Sequence, residues 1–306
     1  MKLKLFAVAF ILVSTTLNLF AQPKDYYSLP SGLSHNQDSI SVDTLIYELK
    51  VEKNYWLPVI EVVGLNFGVW GYHRYLSGEN WSNINWETIK NNLKYGFEWD
   101  ADGYLINQFW HPYHGSNYYN SARSNGLSFW ESATYAFGGS LTWEYFMENE
   151  RPSYNDIVNT PVTGIILGEI SFRVSNLIID ESTTGFERVA REFTSTLIAP
   201  MQGFNRLLRG DMWKDGAPNL GSKFNIIVSS GVHNVFIDNK MNNSKSYITL
   251  RADLDYGNEF SVADHKKPFD YFTLRTEFNI AKDDNIVGIF ASGVLWDNKL
   301  KLFENS

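Results

Sequence analysis

The chain has 306 residues, a formal net charge of −8, 16% aromatic residues and no cysteine. An acidic balance without a basic stripe argues against nucleic acid as a partner. Without disulfides, an exported chain must hold itself by core, sheet or membrane burial, and aromatic excess with abundant glycine suits outer-membrane barrels and their interfacial girdles.

Residues 1–21 read as a secretory signal: Lys2 and Lys4 form the basic region, Leu5 to Val13 the apolar region, and Ala21 precedes the cleavage point. No later apolar run is long enough for an ordinary membrane helix. Residues 22–54 are polar and form an exposed arm in which Leu45 to Val51 is a candidate short strand.

The run Trp56 to Leu76 has the length of a helix, although Val59 to Val63 would also suit a strand. Gly64 and Gly68 have the spacing that lets another backbone approach, and Glu61 reads as a charge at a frayed helix start. Asn85 to Tyr95 is a short amphipathic helix. In Phe97 to Phe109, Asp100, Asp102 and Gly103 form a turn between extended pieces. Its aspartates lack the terminal glutamate of a calcium loop.

The segment from His111 to Arg173 organises the rest. Ser116 is placed to cap a helix carrying Tyr118, Tyr119 and Arg123. Ser128 and Glu131 form a capping box that opens Phe129 to Met147, with Gly138 and Gly139 inside. Glu144 and Glu148 lie four apart, on one helix face. Pro152 stops that helix, and Ser153 with Asp156 starts the next. Across Val158 to Val174, Thr160, Gly164 and Gly168 repeat every four residues, and Glu169 and Arg173 have ion-pair spacing. After a polar break at Asp180 to Thr184, Gly185 to Arg209 is an amphipathic helix that Pro200 kinks or divides. Arg206, Arg209 and Lys214 form a small basic cluster.

The last ninety or so residues switch to period two. Apolar Phe224, Ile226 and Val228 alternate with polar neighbours, as do Ile248 to Tyr256 and Phe272 to Ile280, and Ile286 to Trp296 is a fourth run. Arg251, Asp253, Arg275 and Glu277 give one face opposite charges, as in a wet barrel lumen. A soluble half-buried sheet would alternate in the same way, but the strand lengths match a bilayer. The fold class is therefore α+β: a helical bundle or plug followed by long antiparallel strands of an incomplete outer-membrane β-barrel. The divisions are 1–21 signal, 22–54 arm, 55–214 helical domain and 222–306 strands. Four strands cannot close a barrel, so earlier segments or further chains complete it, or the sequence is part of a longer protein. The ending DNKLKLFENS, which reads as the start of another extended segment, favours the last.

Several features between Trp56 and Trp213 recur together: His111-Pro112 with Gly115, Tyr119 and Arg123; Gly139 and Trp143-Glu144; Ser153, Asp156 and Thr160; Gly164, Gly168-Glu169 and Arg173. In these the chain resembles a bacterial family, domain-of-unknown-function family 3943. The resemblance implies an exported envelope protein whose helical part precedes outer-membrane strands, with members longer at the C-terminus. It implies no activity.

Two functions fit. In the first, the helical part fills or caps a barrel in transport or envelope assembly, with outer-membrane lipid and other envelope proteins as partners. The location is the outer membrane or, alternatively, the periplasm. In the second, the protein is an envelope hydrolase acting on lipid or a related substrate. Its catalytic candidates are His111, Glu144, Glu148, Asp156 and Glu169, with His111 as acid or base. Arg123, Arg173 and Tyr119 would bind substrate. No cofactor is expected, and no metal: His111, His114, Glu144, Glu148 and Glu169 include metal-ligand types, but His-x-x-His here lacks the zinc helix motif. Gly-x-Ser-x-Gly is absent, and Ser229 and Ser230 lack the right spacing from His233. Convergence of His111, Glu144 and Glu169 on one solvent-reaching pocket would favour the enzyme; matched charges would favour the plug.

Overall fold

A computed structural model describes residues 51–100, 102–219, 224–236, 244–258, 267–281 and 285–296. The proposed signal, nearly all of the arm and most of the strand connections lie outside them. The chain is α+β and falls into two compact units, one of them Leu49–Asn219 with Lys267–Phe269, the other holding the strands.

The first unit contains seven α-helices among the described residues: α1 Trp56–Tyr72, α2 Trp86–Tyr95, α3 His111–Arg123, α4 Phe129–Phe146, α5 Asp156–Ile178, α6 Gly185–Ile198 and α7 Pro200–Arg209. Local chemistry sets their ends. The Asn85 side chain accepts from the Glu87 and Thr88 amides, and Ser128 exchanges bonds with Glu131 in the expected capping box. Pro200 lacks the amide that would continue α6, so α7 begins there. Gly210, at φ +72°, ends α7 in a left-handed conformation that a side chain would disfavour.

Helix α3 is central and packs against α1, α4, α5 and α7. Its Gly115, Tyr119 and Arg123, four apart, meet Thr160, Gly164, Gly168 and Glu169 of α5, which runs parallel to it. A Cβ on Gly164 would lie 2.5 Å from the Gly115 backbone, and one on Gly168 2.7 Å from the Tyr119 ring. These glycines let two backbones touch. Across α4, a Cβ on Gly139 would strike the Tyr118 ring at 2.5 Å. The same role expected of Gly64 and Gly68 is overturned. Both face open space, as does Gly138; spacing shows which residues share a face, not whether a neighbour lies opposite.

Three local expectations are corrected. Tyr104–Trp110 is helical rather than extended, with a π-turn at Ile106–Trp110 leading into α3. Ser116 caps nothing: α3 has already begun at His111, and the Ser116 hydroxyl donates to the Tyr113 carbonyl at 2.7 Å. Glu148 lies beyond the end of α4, so it does not share a helical face with Glu144.

The second unit is an antiparallel sheet in the order β1-β2-β3-β4: β1 Phe224–Phe236, β2 Ser244–Tyr256, β3 Phe272–Ile280 and β4 Asn285–Gly293. The register places Ile226, Leu254, Leu274 and Ala291 in one row across it, and Ser230, Leu250, Phe278 and Val287 in another. Alternate rows carry Ser229, Arg251 and Glu277, or Asp253 and Arg275. The sheet is thus two-sided across β2 and β3 as the alternation predicts, while Ile227 of β1 and Phe290 of β4 share the row of Asp253 and Arg275. Its charges pair, Asp253 accepting from Arg251 and from Arg275, each at 2.6 Å. Among the described residues the sheet is not closed.

Candidate functional site

The helical unit has a polar interior. Gly115–Asn125, the body of α3 and the turn after it, is buried or nearly so, and it includes Ser116, Asn117, Asn120, Ser121, Ser124 and Asn125. Buried polar groups need partners, and neighbouring helices supply them. Asn120 donates to Ser171 at 2.9 Å, and Asn205 donates to the Ser124 hydroxyl at 2.8 Å. Tyr118 bonds Asn66 of α1. Glu61, expected at a frayed end, is instead buried and accepts from Asn125 at 3.3 Å and Asn205 at 3.1 Å. One turn into α1 its side chain already faces α3, which a position count along one helix does not reveal.

The candidate residues divide into two clusters. In the first, Glu169 is 0% exposed between two guanidinium groups. Arg123 Nε donates to it at 2.9 Å, Arg173 Nε at 2.8 Å and the Tyr119 hydroxyl at 2.6 Å. The guanidinium groups also donate to the carbonyls of Leu127 (3.0 Å) and Pro268 (2.9 Å), and Arg123 lies over the Phe172 ring. Arg123, Arg173 and Tyr119 thus converge on a carboxylate of the protein itself. A charge so deeply buried persists only with such partners.

The second cluster gathers where α3 and α5 begin and α4 ends. His111 Nδ1 lies 3.0 Å from the Thr160 hydroxyl, and its Nε2 lies 3.2 Å from Asp156 and 3.7 Å from Asp102. The Nε2 contacts are within ion-pair reach but off the line of a hydrogen bond. Glu144 accepts the Ser153 amide at 2.8 Å, and Trp143 Nε1 donates to Glu148. Burial pushes Glu144 up to about 8, with Asp156, Asp100 and Asp102 adding repulsion against the Ser153 bond. Glu148 is raised well above the carboxylate range by burial and by Glu144. Asp156 and Asp102 are raised too, mainly by burial, with His111 opposing. Burial and the neighbouring His111 and His73 lower His114 to about 3, so it is neutral at neutral pH. Glu144 thus holds its proton at neutrality and is able to donate it.

Asp156 and Glu169 are thirteen residues apart on one helix, roughly 20 Å at 1.5 Å per residue. His111 and Glu144 therefore share a cluster that Glu169 does not enter. Among the described residues no three histidine, aspartate or glutamate side chains are grouped as metal ligands. His233 bonds Thr249 at 2.8 Å and stacks on Tyr247.

The sequence singled out Thr160 for its spacing from Gly164 and Gly168 and among the features of the family resemblance, not as a partner of His111; that contact spans 49 positions and left no local signal. The cluster Arg206, Arg209 and Lys214 also changes character. Arg206 pairs with Glu192 at 2.8 Å and Glu181 at 3.2 Å, Arg209 with Asp211 at 2.7 Å, and Lys214 with Asp211. It is a neutralised network, not a basic patch.

The family model described as Domain of unknown function (DUF3943) matches residues 96–201. That stretch holds both clusters but excludes α1, α2, all but the first two residues of α7, and the strands. No curated protein and no solved structure matches the chain.

Proposed function

We propose that this is an outer-membrane-associated protein of a bacterial envelope, in which barrel-type strands carry a helical unit that serves transport or assembly rather than catalysis. The observation that carries the proposal is the matching of buried charge by buried charge. Glu169 consumes Arg123 and Arg173, and Glu192 consumes Arg206, so these arginines act as internal struts. The two-faced sheet and the leader-like residues 1–21 support the location, with the periplasm as the alternative. Envelope lipid and envelope proteins are the corresponding partners.

One observation favours a second reading, an envelope hydrolase. His111 sits between the Thr160 hydroxyl and the Asp156 carboxylate, the order of nucleophile, base and acid. One pair of variants tests both, expressed as the full chain in a Gram-negative host. Glu169→Ala strands two buried guanidinium groups at a cost of about 3–5 kcal/mol, and the amount of envelope-assembled protein is expected to fall sharply. His111→Ala is expected to assemble at the parent level and keep the parent phenotype. Normal assembly of His111→Ala with loss of that phenotype would transfer the role to the hydrolase. Recovery of the parent chain as a detergent-free soluble protein would overturn the outer-membrane location.

A further inference from the structure

The helical unit buries its charged side chains together with an apolar core that includes Tyr118, Phe129, Trp143 and Ile170, and leaves large apolar side chains outside. Along α1, α4, α5, α6 and α7 the charged residues are buried, except Glu131, Glu187 and Arg209 near helix ends, which are half-buried and reach solvent with part of their side chains. The exposed residues, Thr134 and several glycines apart, are apolar. On α6 they are Phe186, Val189, Phe193 and Leu197, one stripe at helical spacing, and Phe186 is 87% exposed. The opposite face of α6 buries Arg188, Arg191, Glu192, Thr194 and Ser195. A helix in a water-soluble bundle turns these faces the other way.

The apolar surface is a shell, not a patch. Helices α1, α4, α5 and α7 all pack on α3, so their outer faces point in different directions from one centre. A single protein partner covers one side; a fluid apolar medium covers all of them. Aromatic side chains are spread over the shell, Phe67, Phe137 and Phe193 among them, and α1 carries a tryptophan and a tyrosine at its two ends. On α1, Trp56 and Tyr72 flank Val59, Ile60 and Val63, and sixteen residues at 1.5 Å make the flanks roughly 24 Å apart. That is close to the height of the apolar band bounded by interfacial tryptophan and tyrosine in membrane proteins. By contrast α2, outside this shell, exposes Glu87, Lys90 and Lys94. No helix among the described residues is long and apolar enough to cross a membrane. Helices α6 and α7 bury polar faces, so averaging over either of them conceals the apolar surface that the assembled bundle presents.

We infer that the outer faces of α1, α4, α5, α6 and α7 are covered by lipid acyl chains, so that the helical unit is itself immersed in bilayer hydrocarbon. This rests on the envelope-membrane location proposed above but departs from a luminal plug, since a wet lumen offers polar walls to an apolar shell. Glycine seams and interior hydrogen bonds then hold the helices together, because burial of apolar surface drives little association inside lipid.

The chain contains no cysteine, so single-cysteine variants can carry a nitroxide label without background. Phe193→Cys and Leu207→Cys probe the shell, Lys90→Cys serves as the water-facing control, and Ile289→Cys probes the apolar face of the sheet. The full chain is reconstituted in vesicles of phosphatidylethanolamine and phosphatidylglycerol, and relaxation by dissolved oxygen is compared with relaxation by a water-soluble nickel chelate. The oxygen-to-nickel ratio at 193 and 207 is expected to exceed that at 90 severalfold, with circular dichroism unchanged. A ratio at 193 and 207 equal to that at 90, while 289 stays oxygen-favoured, overturns the inference and leaves the membrane location standing. Shielding of 193 and 207 from both reagents also overturns it, because protein, from this chain or a second copy, then covers the shell. Nickel access at 193, 207 and 289 alike removes the membrane location itself.

Discussion

Two glutamates on neighbouring helices meet opposite fates. Glu169 is held ionised by two guanidinium groups, whereas Glu144 has one backbone amide and several carboxylate neighbours, so burial keeps its proton on. Because the folded-state value of Glu144, about 8, lies above its ordinary value of 4.5, the protonated form is favoured by folding. Its contribution to stability is complete below about pH 4.5 and is lost as pH rises toward about 8. The denaturation midpoint of the parent is expected to fall as pH is raised across that window. Glu144→Gln, whose carbonyl still accepts the Ser153 amide, is expected to flatten the fall and to match or exceed the parent above it, as a denaturant series at several pH values would show. Of these environments, only the Glu169–Arg173 pair was legible in the sequence, because four residues on one helix fix the distance. Tyr119 and Arg123 join it across about fifty positions, and that separation carries no local period.

Among elements, the glycines show what spacing predicts and where it stops. Gly164 and Gly168 line the seam between α3 and α5 as their four-residue repeat suggests, while Gly64 and Gly68 in α1 have the same spacing and no neighbour. Opposite effects are expected from one substitution. Gly164→Ala forces a methyl into the Gly115 backbone and should cost at least about 1–3 kcal/mol. Gly64→Ala gains helix propensity without a clash and should add about 0.5–1 kcal/mol. Denaturation midpoints in the same detergent decide it, and equal shifts would contradict the packing described. The boundary between α6 and α7 was readable because Pro200 lacks an amide. The helical course of Tyr104–Trp110 was not, since the aspartates and glycine before it carry a turn signal of equal strength.

For the whole molecule, the apolar shell and two-faced sheet predict that the full chain partitions into the detergent phase when a nonionic detergent solution is warmed past its cloud point. Recovery in the aqueous phase would mark the apolar faces as covered by protein. The sequence by itself determined the α+β class, the order of helices before strands, the capping at Ser128 and the alternation of polar and apolar residues along the strands, because each follows from spacing within a few residues of one chain. Only the tertiary structure decided which face of each helix points inward. An amphipathic period is the same whether its apolar stripe meets a core or a solvent of hydrocarbon, and the choice is made by what α3 presents to its neighbours. Since α3 presents serine, asparagine and arginine beside Tyr118 and Tyr119, its neighbours meet it with polar groups such as Asn66, Ser171 and Asn205 and with glycines, and large apolar side chains remain on the outside.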